Sequence, residues 1–440
     1  MNQIRRMLCL SVAAILTTAA MAQSNGSNSS YSRFGLGTLN DQSQGFNRGM
    51  AGVAQGFQSG RQVNMLNPAS YSEIDSLSFI FDVGMGLQMG RIKQGNNSVR
   101  AMNTALEYVN AGLRLRKGLG LSFGFVPYST IGYNFTESTP VTTSWTTGQS
   151  IASKVTYYGN GGLHEMYLGL GWKPFAGLSV GANIGYLWGD YDHSMAQTFT
   201  EGGTSSSSYN AQNEVWSGNP KTYKLDIGVQ YPIRLNSQNR LTLGATYGLG
   251  HTIGSKITLL RYTSKGDSIE SSAKKVFEMP HTISAGATWQ HKGKLTIGAD
   301  YTMERWQGCK VPMSQTTAEG GTNIHIATDQ YSNRHRAAIG AEYIQNPEGR
   351  SKYAERIHYR IGASYSTPYV KVNNQDGPTE MTLTAGVALP LKTTARSLIN
   401  VSAEWLRRSP SVSTHIKENY IMLHLGVTFN EQWFTKFKFQ

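Results

Sequence analysis

From Leu77 to the end of the chain, apolar residues alternate with small or polar ones at a period of two. In residues 178–190 the apolar members are Leu178, Val180, Ala182, Ile184, Tyr186 and Trp188. Residues 241–250, 295–304 and 380–389 repeat the pattern. Because successive side chains of a strand point to opposite faces, each run predicts a strand with one apolar face and one polar or tightly packed face.

About fourteen such segments follow one another, an even number of the kind that bacterial membrane barrels use. The connections between them alternate in length. Residues 117–118, 174–177, 291–293 and 390–395 are short, whereas 136–162, 192–220, 254–279 and 305–332 are long and polar. Short turns on one rim and long loops on the other are typical of the periplasmic and extracellular ends of an outer-membrane barrel. The pattern predicts an all-β, antiparallel transmembrane barrel over residues 77–440.

Composition agrees with this class. The chain has 48 Gly and 23 Tyr, a mean hydropathy of −0.35 and no apolar run long enough for a membrane-spanning helix. Aromatic residues near strand ends predict girdles at the two membrane interfaces. These are Trp172, Trp188, Trp289, Trp306, Trp405, Tyr365 and Tyr369.

Residues 1–22 have the pattern of a secretory signal peptide. Arg5 and Arg6 precede an apolar run, and a small-residue motif predicts cleavage after Ala22. Together with the barrel pattern this indicates the bacterial outer membrane. The formal net charge is +13, with basic residues near strand ends, which suits membrane surfaces carrying phosphates, lipopolysaccharide included. Lys and Arg form no compact block with interleaved aromatics, so a nucleic-acid partner is not expected.

Residues 23–76 lie between the leader and the first strand and differ from both. Residues 45–76 are rich in Gly and Ala and contain the sequence Asn67-Pro68-Ala69. Pro68 has no amide hydrogen and disfavours a helical Asn67, so the backbone turns there. We interpret residues 23–76 as an arm and a hatch that plugs the barrel lumen.

The stretches 48–54 (RGMAGVA), 67–69 (NPA), 124–129 (GFVPYS) and 169–178 (GLGWKPFAGL) resemble, in their order, the FadL/TodX family of outer-membrane transporters for hydrophobic compounds. The resemblance implies a fourteen-stranded barrel plugged by an N-terminal hatch that includes Gly49, Gly52 and Asn67-Pro68-Ala69. It also implies that ligands enter from outside and leave sideways through a gap in the wall. Phe34 and Leu36 would then insert into the lumen.

Pro127 lies inside a predicted strand, where it removes a ladder hydrogen bond. Either the wall opens laterally there, with Gly124 and Gly132 easing the bend, or the strand simply ends early. Asn67-Pro68-Ala69 is likewise either a latch that holds the hatch across the lumen or only a turn leading into the first strand.

No cofactor or metal motif is present, and Cys309 is the only cysteine after the leader. His164 beside Glu165, and His281, are the only candidates for catalysis, and neither lies in a recognisable motif. The resemblance implies a monomeric, non-enzymatic channel for passive uptake of hydrophobic small molecules similar to long-chain fatty acids. The alternatives are a protein-docking component of an outer-membrane secretion system and a barrel enzyme acting on lipid. Residues 434–440 are either a further strand or an assembly signal.

Overall fold

The computed structural model describes residues 29–143, 150–175, 177–201, 204–205, 211–316, 321–347, 352–391, 396–412 and 416–432. The predicted signal peptide, its cleavage site and the tail 433–440 lie outside the described residues.

The strands are numbered in chain order. They are β1 (Thr38–Leu39), β2 (Ser78–Gln94), β3 (Asn97–Arg116), β4 (Leu119–Pro127), β5 (Ser129–Thr143), β6 (Ser150–Trp172), β7 (Ser179–Glu201), β8 (Thr204–Ser205), β9 (Gln212–Gly218), β10 (Lys221–Arg234), β11 (Asn239–Gly248), β12 (His251–Ile253), β13 (Lys256–Thr263), β14 (Ser268–Lys274), β15 (Phe277–Met279), β16 (His281–His291), β17 (Leu295–Arg305), β18 (Val311–Thr316), β19 (Thr322–Ala327), β20 (Arg334–Ile344), β21 (His358–Ser366), β22 (Lys371–Val372), β23 (Gln375–Asp376), β24 (Thr379–Pro390), β25 (Leu398–Ser409) and β26 (Lys417–Gln432). One α-helical turn, α1, spans Gly45–Arg48, and short 3₁₀ helices span Ser30–Arg33, Pro68–Glu73 and Tyr353–Arg356.

A closed antiparallel barrel of fourteen wall strands results, and the predicted fold class is confirmed. The wall consists of β2, β3, β4 continued by β5, β6, β7, β10, β11, β16, β17, β20, β21, β24, β25 and β26. Each pairs with its neighbour in the chain, and β26 pairs with β2 from Ser78↔Gln432 to Lys93↔Lys417, which closes the cylinder.

The apolar face of the wall points outward. Ile184, Leu243, Ile297 and Leu423 are all exposed, at 60%, 44%, 38% and 45%. An isolated protein with this many exposed aliphatic side chains around its waist is suited to hydrocarbon surroundings. None of the helices in the described parts of the chain is long and apolar enough to cross a membrane.

The girdle prediction is wrong for Trp306 and Tyr369. Both are buried, in an apolar cluster at the extracellular end of the barrel rather than at the lipid boundary. The other aromatic positions differ from these two because they lie on the outward face of wall strands, as the 48% exposure of Trp172 and 51% exposure of Tyr365 show.

The predicted long loops contain much regular structure. β5, β6 and β7 extend well beyond the apolar band, and β9, β13 and β14 continue the sheet above it. The alternation in these segments is weak: residues 150–156 contain only two large apolar residues, Ile151 and Val155, and therefore give little strand signal in the sequence. β18 and β19 form a separate hairpin.

A candidate lateral opening and the lumen behind it

The barrel wall is interrupted between β3 and β5. β3 pairs with β4 from Arg116↔Leu119 as far as Val109↔Phe125, and no pairing with β5 follows, although both strands are described. On its other side β4 stays paired with β6 as far as Pro127↔His164. β5 then resumes pairing with β6 at Ile131↔Gly161. β4 thus ends at Pro127, and the wall continues one residue later as β5, which is paired with β6 but not with β3.

The break coincides with unusual backbone on the neighbouring strand. Gly161 and Gly162 each have φ of +125°, a conformation that residues with a side chain rarely adopt. The amide of Tyr128 donates to the carbonyl of Leu163 at 2.7 Å, which keeps β6 attached across the bend. Sequence reasoning missed this glycine pair because it placed residues 136–162 in a loop, whereas glycines inside a strand often mark a bulge.

The two glycines proposed from sequence contribute differently. Gly124 lies in close packing, because a Cβ there would come within 2.2 Å of the Asn110 side-chain oxygen. Gly132 donates its amide to the Ser32 hydroxyl at 3.1 Å, so it holds the N-terminal arm. Neither residue has a positive φ.

Residues 29–40, called the arm, occupy the edge of β5 that β3 leaves unpaired. β1 pairs antiparallel with β5 through Thr38↔Thr130 and Leu39↔Ser129. The Asn40 amide donates to the Tyr128 carbonyl at 3.0 Å. At its other end the arm is anchored by the Ser29 hydroxyl, which donates to the Glu418 carboxylate at 2.8 Å. The arm therefore replaces the missing wall neighbour along part of the break.

Phe34 and Leu36 lie in the apolar cluster at the extracellular end. Leu36 is 2% exposed and belongs to the cluster that contains Trp306, Tyr331 and Tyr369, while Phe34 is partly buried against it. The Tyr369 hydroxyl donates to the Gly37 carbonyl. The arm thus supplies apolar side chains to a site that the outer loops enclose.

Residues 41–75, called the inner segment, pack against inward-facing residues of the wall. The amides of Ala54 and Gln55 donate to one Asp300 carboxylate oxygen at 2.6 and 2.9 Å. The approach is close at wall glycines: a Cβ on Gly244 would lie 1.8 Å from the Gln55 carbonyl oxygen, and one on Gly120 would lie 1.9 Å from that of Tyr71. These inward glycines let the segment's backbone lie directly against the wall.

Asn67 caps the 3₁₀ helix Pro68–Glu73. Its side-chain oxygen accepts from the Ala69 amide at 3.2 Å, and its side-chain nitrogen donates to the carbonyls of Gln55 at 2.9 Å and Val229 at 3.3 Å. One buried amide therefore joins two parts of the inner segment to strand β10, and the turn is also a connection to the wall.

Gly49 and Gly52 lie in the same segment. A Cβ on Gly49 would come within 3.1 Å of Arg360, and Gly52 has φ of +77°. The Gly49 carbonyl accepts from the Thr384 hydroxyl at 3.0 Å. Both glycines allow the segment to turn close to the wall.

Above the inner segment lies a cavity of about 500 Å³ that reaches the break. Ala105 and Glu107 of β3 line it on one side, and Pro127 and Thr130 line it on the other. Most of its remaining lining is polar or charged. The charged side chains that line it are Asp41, Arg48, Glu107, Asp190, Lys224, Asp226, Asp300, Glu304, Arg334, Arg336, Glu380, Glu404 and Arg408.

The charges in the cavity are largely paired. Arg336 lies 3.3 Å from Asp41 and donates to the Ala51 carbonyl at 2.7 Å, and Arg48 lies 3.5 Å from Glu107. Burial alone raises the pKa of Asp41, but the charges of Arg336 and Arg48 outweigh it and hold that pKa below its ordinary value. Ion pairs thus attach the inner segment to the wall.

The residues considered for catalysis are not assembled into a hydrolytic site. His164 stacks on Phe125 with ring centroids 5.5 Å apart, and its Nδ1 has no hydrogen-bond partner in the described part of the chain. Glu165 instead pairs with Lys224 at 3.3 Å. Among the described residues no group of three or more His, Cys, Asp or Glu side chains could hold a metal ion.

The fold and this site define a class: an outer-membrane β-barrel whose lumen holds its own N-terminal segment and whose wall is broken on one side. A family model described as BamG matches residues 3–440, and the chain belongs to that family. A search among curated proteins returns no match.

Solved structures with the same fold include a Pseudomonas aeruginosa FadL homologue, at 12% identity and TM-score 0.60, covering 88% of this chain and 98% of that one. The Pseudomonas putida toluene transporter TodX matches at 14% identity and TM-score 0.58, over 91% and 100%. The Ralstonia pickettii toluene transporter TbuX matches at 16% identity and TM-score 0.56, over 91% and 98%. At these identities the likeness establishes the fold.

Proposed function

We propose that this protein is a passive outer-membrane channel for hydrophobic small molecules of the long-chain fatty-acid type, released sideways through the break between β3 and β5. The observation that carries the proposal is that the lumen cavity is lined by residues on both sides of that break. The solved relatives with the same fold include proteins described as toluene transporters and monoaromatic hydrocarbon channels, which supports the same class of cargo.

The route has three stages. Ligand first displaces Phe34 and Leu36 from the apolar cluster under the outer loops, where burial of an alkyl chain contributes about 0.8 kcal/mol per CH₂. It then passes the arm into the cavity, where guanidinium groups such as that of Arg336 can hold a carboxylate head while the chain lies towards the break. Release into the bilayer needs only separation of β1 from β5.

In this scheme the inner segment is a hatch that prevents direct leakage into the periplasm, and Asn67-Pro68-Ala69 is its latch. Asn67→Asp keeps the oxygen that caps the helix and removes the donor to Gln55 and Val229. The variant is expected to assemble as a folded barrel while its uptake of fatty acid changes. Unchanged uptake of every apolar substrate tested would remove the latch from the scheme.

The test of the function itself is the small-molecule content of the purified protein. The protein is extracted from outer membranes in a mild detergent, and bound compounds are identified by mass spectrometry. We expect a fatty-acid-like amphiphile in the wild type and a reduced amount in Leu36→Asp, which makes the apolar cluster polar. Recovery only of bulk phospholipid, in membrane proportions and equal in both proteins, would contradict transport.

A second candidate is a protein-docking role in an outer-membrane secretion or assembly system. Two observations favour it: the chain's own Leu36 already lies in the apolar cluster, and the cavity lining includes many charged side chains, several of them in ion pairs. Recovery of a stoichiometric membrane-protein complex, with no enriched amphiphile, would favour this candidate over the channel.

A further inference from the structure

The periplasmic rim of the barrel carries an excess of exposed positive charge: Glu355 and Glu431 are the partly exposed carboxylates on its described turns and strand ends, against six exposed basic residues. Six exposed basic residues lie in or beside its short turns, and none forms an ion pair with a carboxylate in the described part of the chain. They are Arg116, Lys117, Arg234, Lys292, Lys294 and Lys352. Because uncompensated like charges repel one another, such a ring is favourable only towards a negatively charged neighbour.

The centre of the same rim is formed by the underside of the inner segment. Its carboxylates are already paired: Glu73 lies 2.6 Å from Lys173, and Asp75 lies 3.8 Å from Arg61 and 4.0 Å from Arg396. The centre therefore does not neutralise the ring around it. Asp75 is shared by two guanidinium groups, those of Arg61 and Arg396, so this cluster keeps one net positive charge.

Large apolar side chains stand among these charges at the turns. Phe175 is 73% exposed and Leu235 is 56% exposed. An exposed aromatic anchor surrounded by a charged rim is the usual composition of a protein–protein contact. The turns are short, so this surface is broad rather than concave, and small-molecule sites are concave.

We propose that this surface, called the periplasmic mouth, docks an acidic periplasmic protein. By strand alternation Arg234 lies on the same face of β10 as Gln230, whose side chain donates to the Gln55 carbonyl of the inner segment at 2.7 Å, so this ring residue belongs to the inward face. This orientation places the charge over the mouth of the barrel rather than around its lipid boundary, which favours a protein over phospholipid head groups. The proposal uses neither the break nor the cavity, so its failure would leave the channel proposal standing.

The test begins in cells with a photoreactive benzoylphenylalanine at Lys117 or Lys292 of the full-length protein. Lys265, in the exposed outer turn between β13 and β14, takes the same probe as the matched control. We expect protein adducts from the two mouth positions, identified by mass spectrometry as a periplasmic protein or domain with net negative charge, and none of that protein from Lys265. Adducts with lipid alone, or with a neutral or basic protein, would overturn the proposal.

The identified protein is then bound to the purified barrel in nanodiscs. The variant K117E/K292E/K294E is expected to weaken binding by about tenfold or more, with a steep salt dependence in the wild type, because charge complementarity carries the contact. The control K256E/K265E/K274E reverses equal charge at the outer face and should bind as the wild type does. Heat-modifiable mobility in gels verifies that each variant is folded. Equal binding by the mouth variant would overturn the proposal.

Discussion

Thr38 of the arm lies opposite Thr130 of β5 as its antiparallel partner, at the level where the wall strand has lost its own neighbour. The Asn40 side-chain nitrogen donates to the Thr130 hydroxyl at 2.9 Å, and that hydroxyl donates to the Asn40 side-chain oxygen at 3.2 Å. A short piece of the N-terminus therefore completes a sheet edge that would otherwise expose unpaired amides and carbonyls. In a bilayer each such group is costly, which explains why the arm lies there.

Loosening the arm should open the break. Asn40→Pro removes the amide that donates to the Tyr128 carbonyl together with both side-chain bonds to Thr130, each of about 1 kcal/mol, and so should raise the open population by more than about fivefold. Faster transfer of a fluorescent fatty acid from proteoliposomes into the surrounding bilayer is the expected result. Asn40→Ala keeps the amide and removes only the side-chain bonds, so its effect should be smaller. Slower transfer in Asn40→Pro would contradict this role of the arm.

Restoring the backbone amide that Pro127 lacks should close the break and slow the transfer of fatty acid. Pro127→Ala supplies an amide hydrogen at the last paired position before the break, and one added ladder bond of about 1 kcal/mol should reduce transfer about fivefold. Pro232→Ala is the matched control, because Pro232 lies in β10 near the periplasmic end, far from the break. Identical transfer rates for the wild type and Pro127→Ala would show that Pro127 does not control the opening.

The close packing of the inner segment against the wall can be tested by substituting a wall glycine. Gly244→Ala forces a Cβ against the Gln55 carbonyl, so we expect a loss of about 1–3 kcal/mol in the free energy of unfolding and a rise in single-channel conductance. Gly254→Ala meets nothing within 4 Å and should change neither quantity. Normal conductance and unaltered stability in Gly244→Ala would mean that the segment is not held at this point.

Cys309 should be chemically inert at neutral pH. Burial raises the pKa of its thiol to about 11, the Glu278 carboxylate adds to the shift, and Lys310 only partly opposes it. At pH 8 roughly one thiol in a thousand is then ionised, and the thiolate is the reactive form. Maleimide labelling should therefore be negligible in the folded protein and complete in denaturant, with Ser264→Cys in a Cys309→Ser background as the exposed control. Rapid labelling of folded Cys309 would contradict its burial.

Most of the wall could be predicted from the sequence because lipid enforces a strict period of two. Residues 178–190 and 241–250 carry that signal plainly, and both are wall strands. Above the bilayer the constraint vanishes, so the extensions of β6 and β7 were read as polar loops. The girdle prediction for Trp306 and Tyr369 is wrong for a related reason. An aromatic residue near a strand end is equally compatible with a lipid interface and with a buried apolar cluster under the outer loops.

Within the candidate site, Pro127 could be found because proline removes a ladder donor whatever its surroundings. The pairing of Thr38 with Thr130, and the bend at Gly161 and Gly162, could not be located because they depend on which segments meet in space. The charged lining was partly predictable from inward-facing residues such as Glu304 and Arg336. Their partners on the inner segment could not be predicted, because strand alternation shows which side of the wall a residue faces but not which residue it contacts.

The most direct test of lateral release is to block the break itself. Ala105 lines the cavity on the β3 side, so Ala105→Trp should obstruct the opening, while Ala285→Trp puts the same bulk on the exposed face of β16. Transfer of a fluorescent fatty acid from the external medium into the proteoliposome bilayer is measured for both variants and the wild type. We predict near-complete loss of transfer in Ala105→Trp and a wild-type rate in Ala285→Trp. Undiminished transfer in a folded Ala105→Trp protein would contradict release through the wall.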